Sequence, residues 1–137
     1  MIYNFELEKQ LLAGLIKEPD ALAEISNFIG IGDFYSENSS LHSTIFRIIQ
    51  QAIESGDEVD EVIIAQRVND VGISFQDNLN PADYIKSLAL RKVPNGNTIK
   101  TAKELKKYSI RREILDSSSE IGKKMKNMPS EASYRSI

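Results

Sequence analysis

Residues 98–127, TIKTAKELKKYSIRREILDSSSEIGKKMKN, decide the fold. They contain no proline and a single glycine, Gly122, so nothing breaks a helix that, at ~1.5 Å per residue, reaches ~40 Å. Such an element is too long for the compact body that the rest of a 137-residue chain can build, and it is expected to project. Its apolar residues Ile99, Leu105, Tyr108, Ile114, Leu115, Ile121 and Met125 then need a partner surface. Pro94-Asn95-Gly96 is the turn that leads into it, Pro129 stops it, and Ser130 with Glu131 can start another helix. The C-terminal part therefore reads as the first arm and the beginning of the second arm of a helical hairpin cut off midway, as in an excised fragment.

Upstream of the turn the apolar residues also recur three and four apart, which predicts an all-α protein. Asn4 caps a first helix with the stripe Leu7, Leu11 and Leu15, ended near Glu18 by Pro19. A second helix runs from Pro19 with Leu22, Ile25, Phe28 and Ile29 inward, until Gly30 and Gly32 break it and a loop carries Asp33-Phe34-Tyr35. Ser39 or Ser40 opens a third, with Leu41, Ile45, Ile48, Ile49 and Ala52 inward and Gly56 at its end. Asp60 caps a fourth, with Ile63 or Ile64, Ala65 and Val68 inward and Gly72 as its stop. After a loop over residues 73–79, Asn80-Pro81 starts a fifth with Tyr84, Ile85 and Leu88. The predicted organisation is a helical head of about five helices over residues 1–93, followed at 94–137 by the long helix and the start of the hairpin's second arm.

The net charge of −3 conceals a division. Residues 1–90 hold 5 Lys/Arg against 15 Asp/Glu, a net of −10, and residues 91–137 hold 12 against 5, a net of +7. A basic third of this kind serves first as a solvated helix face, and otherwise docks on an acidic protein surface, on nucleic acid or on another copy. No cysteine occurs, which removes disulfides, thiolate metal sites and cysteine nucleophiles and fits the cytoplasm. No stretch approaches the ~18 apolar residues of a membrane span, and the N-terminus has no signal-peptide pattern.

Catalytic machinery is not expected. The phosphate-binding pattern GxxxxGK[ST] does not occur: Gly122-Lys123-Lys124 lacks both the upstream glycine and the hydroxyl residue. The single histidine, His42, gives neither a triad nor a two-histidine metal site and reads as a half-buried helix residue. Glu6, Glu8, Asp57, Glu58, Asp60 and Glu61 lie in or beside helix starts, where acids complement the dipole. Lys100, Lys103, Lys106, Lys107, Arg111 and Arg112 are interleaved with no aromatic besides Tyr108, so direct DNA reading is not expected of this domain.

With these elements in place, the chain resembles the N-terminal domain of DnaB-type replicative hexameric DNA helicases over nearly all of its length. The run Phe5-Glu6-Leu7-Glu8-Lys9-Gln10-Leu11-Leu12-Ala13-Gly14-Leu15-Ile16 is similar to the family's opening helix, which carries two glutamates two apart before its leucines. D-F-Y follows as Asp33, Phe34 and Tyr35, H-x-x-I-F as His42, Ile45 and Phe46, and G-x-x-V-D as Gly56, Val59 and Asp60. Ala65 with Val68, Tyr84-Ile85, Asn97 at the start of the long helix and Arg111-Arg112-Glu113-Ile114 complete the series in order. Asn80-Pro81-Ala82 departs from the family's usual glycine pair.

The resemblance implies a helical head and hairpin whose copies pair into a collar above a motor ring, in a bacterial cell or a phage-infected host. It implies self-association, with Ile99, Leu105, Tyr108, Arg111, Arg112, Ile114, Leu115 and Ile121 as candidate interface residues, and docking of primase and a helicase loader. It implies no cofactor in this chain, the ATP and Mg of the family belonging to a separate motor domain that performs 5′–3′ unwinding. The rival expectation is a freestanding regulator that mimics the collar and binds helicase, loader or primase.

Overall fold

The computed structural model describes residues 3–35, 40–71, 80–94 and 96–127, with 118–127 described as helix backbone alone. Ser39, Gly72, the loop at 73–79, Asn95, Pro129 and the second arm at Ser130 and Glu131 lie outside the described residues. Within them the protein is all-helical, with six α-helices and no strand.

Asn4 accepts the Leu7 N–H on its side-chain oxygen at 3.1 Å and so starts α1 (Phe5–Lys17). The predicted stripe of Leu7, Leu11 and Leu15 is too narrow for this helix. Glu8 and every residue from Leu11 to Leu15 are buried, because α1 is the central element and three other helices pack on it. The single helix predicted after Pro19 is divided into a 3-10 turn (Pro19–Ala21) and the one-turn α2 (Leu22–Ile25). Ser26 and Asn27 follow, and the Ser26 hydroxyl donates to the Ala23 carbonyl, the local competition that makes such residues poor helix formers. Leu22, Ile25 and Ile29 are buried all the same. A second 3-10 turn, Ile31–Asp33, leads towards α3 (Leu41–Glu54), whose inward residues Ile45, Phe46, Ile49 and Ala52 are fully buried.

Gly56 ends that segment at φ 76°, a left-handed conformation that costs glycine little. Asp60 then caps α4 (Glu61–Asp70) by accepting the Val62 N–H at 2.9 Å. Asn80 caps α5 (Pro81–Ala89), accepting from Ala82 and Asp83, with Pro81 in the first turn. Beyond Gly96, at φ 77°, the last helix α6 (Asn97–Asn127) begins.

The hydrophobic core does not stop at the turn before α6. Ala102 and Leu105 belong to the same buried cluster as Leu11, Leu15, Ile25 and Phe46. α6 lies so close on α1 that a Cβ at Gly14 would sit 2.5 Å from the Thr98 hydroxyl oxygen, so the glycine is needed for approach. Outside that packed stretch the helix is exposed at Ile110, Arg111 and every residue from Glu113 to Ser117. The projecting portion is therefore the outer half of α6, the inner half being part of the head.

Candidate functional site

Three arrangements collect the residues singled out by the sequence. The first is a buried polar line across α1, α3 and α5. Glu8, 0% exposed, accepts the Tyr35 backbone N–H at 3.1 Å on one carboxylate oxygen and contacts His42 Nδ1 at 2.8 Å with the other. His42 Nε2 lies 2.5 Å from the Tyr84 hydroxyl. In the tautomer with Nδ1–H donating to Glu8, Nε2 is the acceptor for the Tyr84 hydroxyl. Phe5 stands edge-on to the imidazole, centroids 5.7 Å apart. His42 is thus a buried residue, where the sequence suggested a half-buried one.

A carboxylate, an imidazole and a hydroxyl in line resemble a relay for activating a nucleophile, but the energetics run the other way. Burial, with the Glu8 carboxylate adding to it, pushes the Tyr84 phenol up to about 12. An activated nucleophile needs its proton loosened, and this one is held more tightly. The line is a clasp between three helices.

The second arrangement gathers α6 around Asp33. One carboxylate oxygen accepts the Gly30 N–H at 2.7 Å; the other takes the Lys106 ammonium at 2.9 Å and the Ser109 hydroxyl at 2.5 Å. The Asp33 carbonyl accepts from the Arg112 guanidinium at 2.7 Å. Burial alone would raise this carboxyl, but the Ser109, Gly30 and Lys106 contacts together hold it below its usual range. Three consecutive motif residues therefore face three ways: Asp33 to α6, Phe34 into the core against Phe46 at 4.9 Å between rings, and the Tyr35 N–H to Glu8. The Tyr35 ring stacks on Tyr3 at 4.4 Å and lies under the Arg112 guanidinium.

The remaining motif residues are also accounted for locally. Ile45 and Phe46 are core, Gly56 and Asp60 build the α3–α4 corner, and Val59 is half-buried beside the core. Glu6 pairs with Arg91 at 2.9 Å, and this contact, with Lys9, holds its carboxyl low. Among the described residues, no buried side-chain polar atom lacks a hydrogen-bond partner, and no cluster of metal-type ligands is present. None of their helices is long and apolar enough to cross a membrane.

The third arrangement is the outward face of α6. Of the candidate interface residues, Leu105 is 0% exposed and is committed to the head's own core, a correction to its place among them. Its place three residues beyond Ala102 puts it on the face that meets α1. Ile99 is half-buried against the same core. Tyr108 is half-buried under Arg111 at 5.6 Å, and Arg112 is spent on Asp33 and Tyr35. Ile114 and Leu115 stand 62% and 55% exposed. Ile110, at 44%, joins them; the sequence reading passed over it, though its position one turn before Ile114 was the available signal. Ile121 falls where only the helix backbone is described.

Comparison with known proteins agrees with this architecture. A family model described as DnaB-like helicase N terminal domain matches residues 1–107. The fold is similar to the crystal structure of the N-terminal domain of DnaB helicase from Mycobacterium tuberculosis, with a TM-score of 0.77 at 19% identity, covering 89% of this chain and 84% of that one. No curated protein matches the sequence.

Proposed function

This chain belongs to the family of DnaB-like helicase N-terminal domains, and from that premise we propose that it is an assembly domain whose outer α6 face packs against another subunit of the helicase. The single observation that supports this reading is the trio Ile110, Ile114 and Leu115, exposed on a helix that continues to Asn127, beyond the contacts of Lys106, Ser109 and Arg112 with the head. Large apolar side chains grouped on a rigid, projecting helix cost solubility unless a partner covers them. The head acts as a spacer held rigid by its two polar clasps, and it offers surfaces on which primase and a helicase loader dock. Unwinding, ATP and Mg belong to a separate motor domain, and the work is cytoplasmic.

Light scattering over a concentration series, with the chain alone and with a primase helicase-binding domain, tests the proposal. A species larger than the monomer, or a complex with the primase domain, supports it when Ile114→Asp removes that species and leaves the circular dichroism of the head unchanged. A chain that stays monomeric throughout and ignores primase contradicts it.

A further inference from the structure

We propose that Asp33 is a latch that aims the outer half of α6, a positioning residue for the proposed interface; the inference rests on the reading of that face given above. One amino acid in a short turn of the head holds Lys106, Ser109 and Arg112, three positions spaced three apart. They span about 9 Å of helix axis at 1.5 Å per residue. A single contact lets a helix rock about it, whereas contacts spread over nearly two turns fix both its tilt and its rotation.

Apolar burial does not do this work, because among the described side chains the last fully buried apolar residue of α6 is Leu105, one position before the first latch residue. Every residue from Glu113 to Ser117 is exposed. Among the described residues, Asp33 and the Tyr35 ring beneath Arg112 are thus the last parts of the head that hold the helix before its exposed apolar face. The low carboxyl set by Ser109, Gly30 and Lys106 agrees with a charge stabilised by the contacts of the latch. From Arg112 to Lys124 is a lever of about 18 Å, so a tilt of about 10° at the latch moves position 124 by about 3 Å. That displacement is enough to take an apolar helix face out of register with a partner.

The chain has no cysteine, so two introduced cysteines carry two spin labels and nothing else. Arg47→Cys on the head with Lys124→Cys on the outer helix reads the aim of α6, and Arg47→Cys with Lys103→Cys reads its seated half. Labelled chain is measured in an excess of unlabelled chain, so that only distances within one molecule are seen. In the unaltered background the expected outer distribution is narrow. Asp33→Ala removes the Lys106 and Ser109 contacts and keeps the carbonyl that Arg112 holds, so the helix is left to rock about that one point; it should shift or broaden the outer distribution by up to about 3 Å, following the lever above, and leave the inner pair unchanged. Asp33→Asn, which keeps an acceptor for Ser109, should restore part of the aim. Lys106→Met disturbs the latch without touching the turn and carries the test if Asp33→Ala does not fold.

An outer distribution in Asp33→Ala and Lys106→Met as narrow and as centred as in the wild type overturns the latch. Inner and outer pairs broadening together also overturns it, since Asp33 would then merely hold the head folded. Sedimentation of the unlabelled wild type reports the interface separately. A strict monomer whose outer distribution still broadens on Asp33→Ala supports the latch and contradicts the interface.

Discussion

Removing the His42 ring should cost this protein a large part of its stability. His42→Ala leaves the Glu8 carboxylate, 0% exposed, with the Tyr35 N–H as its one remaining partner among the described residues, and takes the acceptor from the half-buried Tyr84 hydroxyl. Taking one partner from a buried ionic or strongly polar pair costs about 3–5 kcal/mol. The stranded hydroxyl adds about 1 kcal/mol. The sum, about 4–6 kcal/mol, is a large share of the ~5–15 kcal/mol that holds a domain folded. For 137 residues, an unfolding entropy of about 2.1 cal/mol/K per residue converts this into a fall in Tm of roughly 14–21 °C. Thermal and urea unfolding followed by circular dichroism measure it. Glu8→Gln removes the charge that demands a partner, so the double variant Glu8→Gln/His42→Ala should lose less than the two single losses added, with a coupling of about 1–3 kcal/mol. A cost below about 1 kcal/mol for His42→Ala, or strict additivity in the cycle, would refute the idea that this line is a clasp.

Leu105→Ala should cost about 2–5 kcal/mol in urea unfolding, as a fully buried leucine in the core does, whereas Ile114→Ala should change stability by no more than about 0.5 kcal/mol. Gly14→Ala should destabilise by about 1–3 kcal/mol because its new methyl meets Thr98 at 2.5–3.0 Å, and Thr98→Ala in the same chain should return part of that loss. The Tyr84 phenol is raised from 10.0 to about 12, so the folded state keeps a proton that the unfolded state releases; stability is then lost as pH rises above about 10. The difference between the ultraviolet titrations of wild type and Tyr84→Phe should accordingly show a midpoint near 12, and a midpoint at the ordinary phenol value would count against the buried clasp. At the acid end, the lowered Asp33 carboxyl contributes stability that is present above its unfolded value of 3.8 and is lost as pH falls through the lower folded value; Asp33→Asn should flatten that limb of the stability curve.

Helix positions were legible because their signals are local. Asn4, Asp60 and Asn80 each cap the helix predicted for them, and Gly56 takes the left-handed conformation that its place after α3 suggested. Long-range contacts were less legible. Nothing in the spacing of Glu8, His42 and Tyr84 tells that three helices bring them into one line, since 34 and 42 residues separate the successive partners. The order of the family motifs marked Glu8, Asp33 and His42 without saying what they do; the structure shows them as internal fasteners. Leu105 was misread because a long apolar-striped helix does not declare, residue by residue, which stretch lies on the head and which runs free. That division depends on Gly14 admitting Thr98 and on Asp33 reaching Lys106, Ser109 and Arg112, contacts 73 or more residues apart in sequence.

The central claim is that copies of this chain meet through the outer half of α6, and energy transfer between separately labelled pools tests it most directly. One pool carries a donor and the other an acceptor at Ser117→Cys, an exposed position beside Ile114 and Leu115, with Arg47→Cys on the head as the comparison. Transfer that rises with concentration between labels at position 117, exceeds that between labels at position 47 and vanishes with Ile114→Asp is the expected result. Transfer that is absent at position 117, or stronger between the heads, would contradict it.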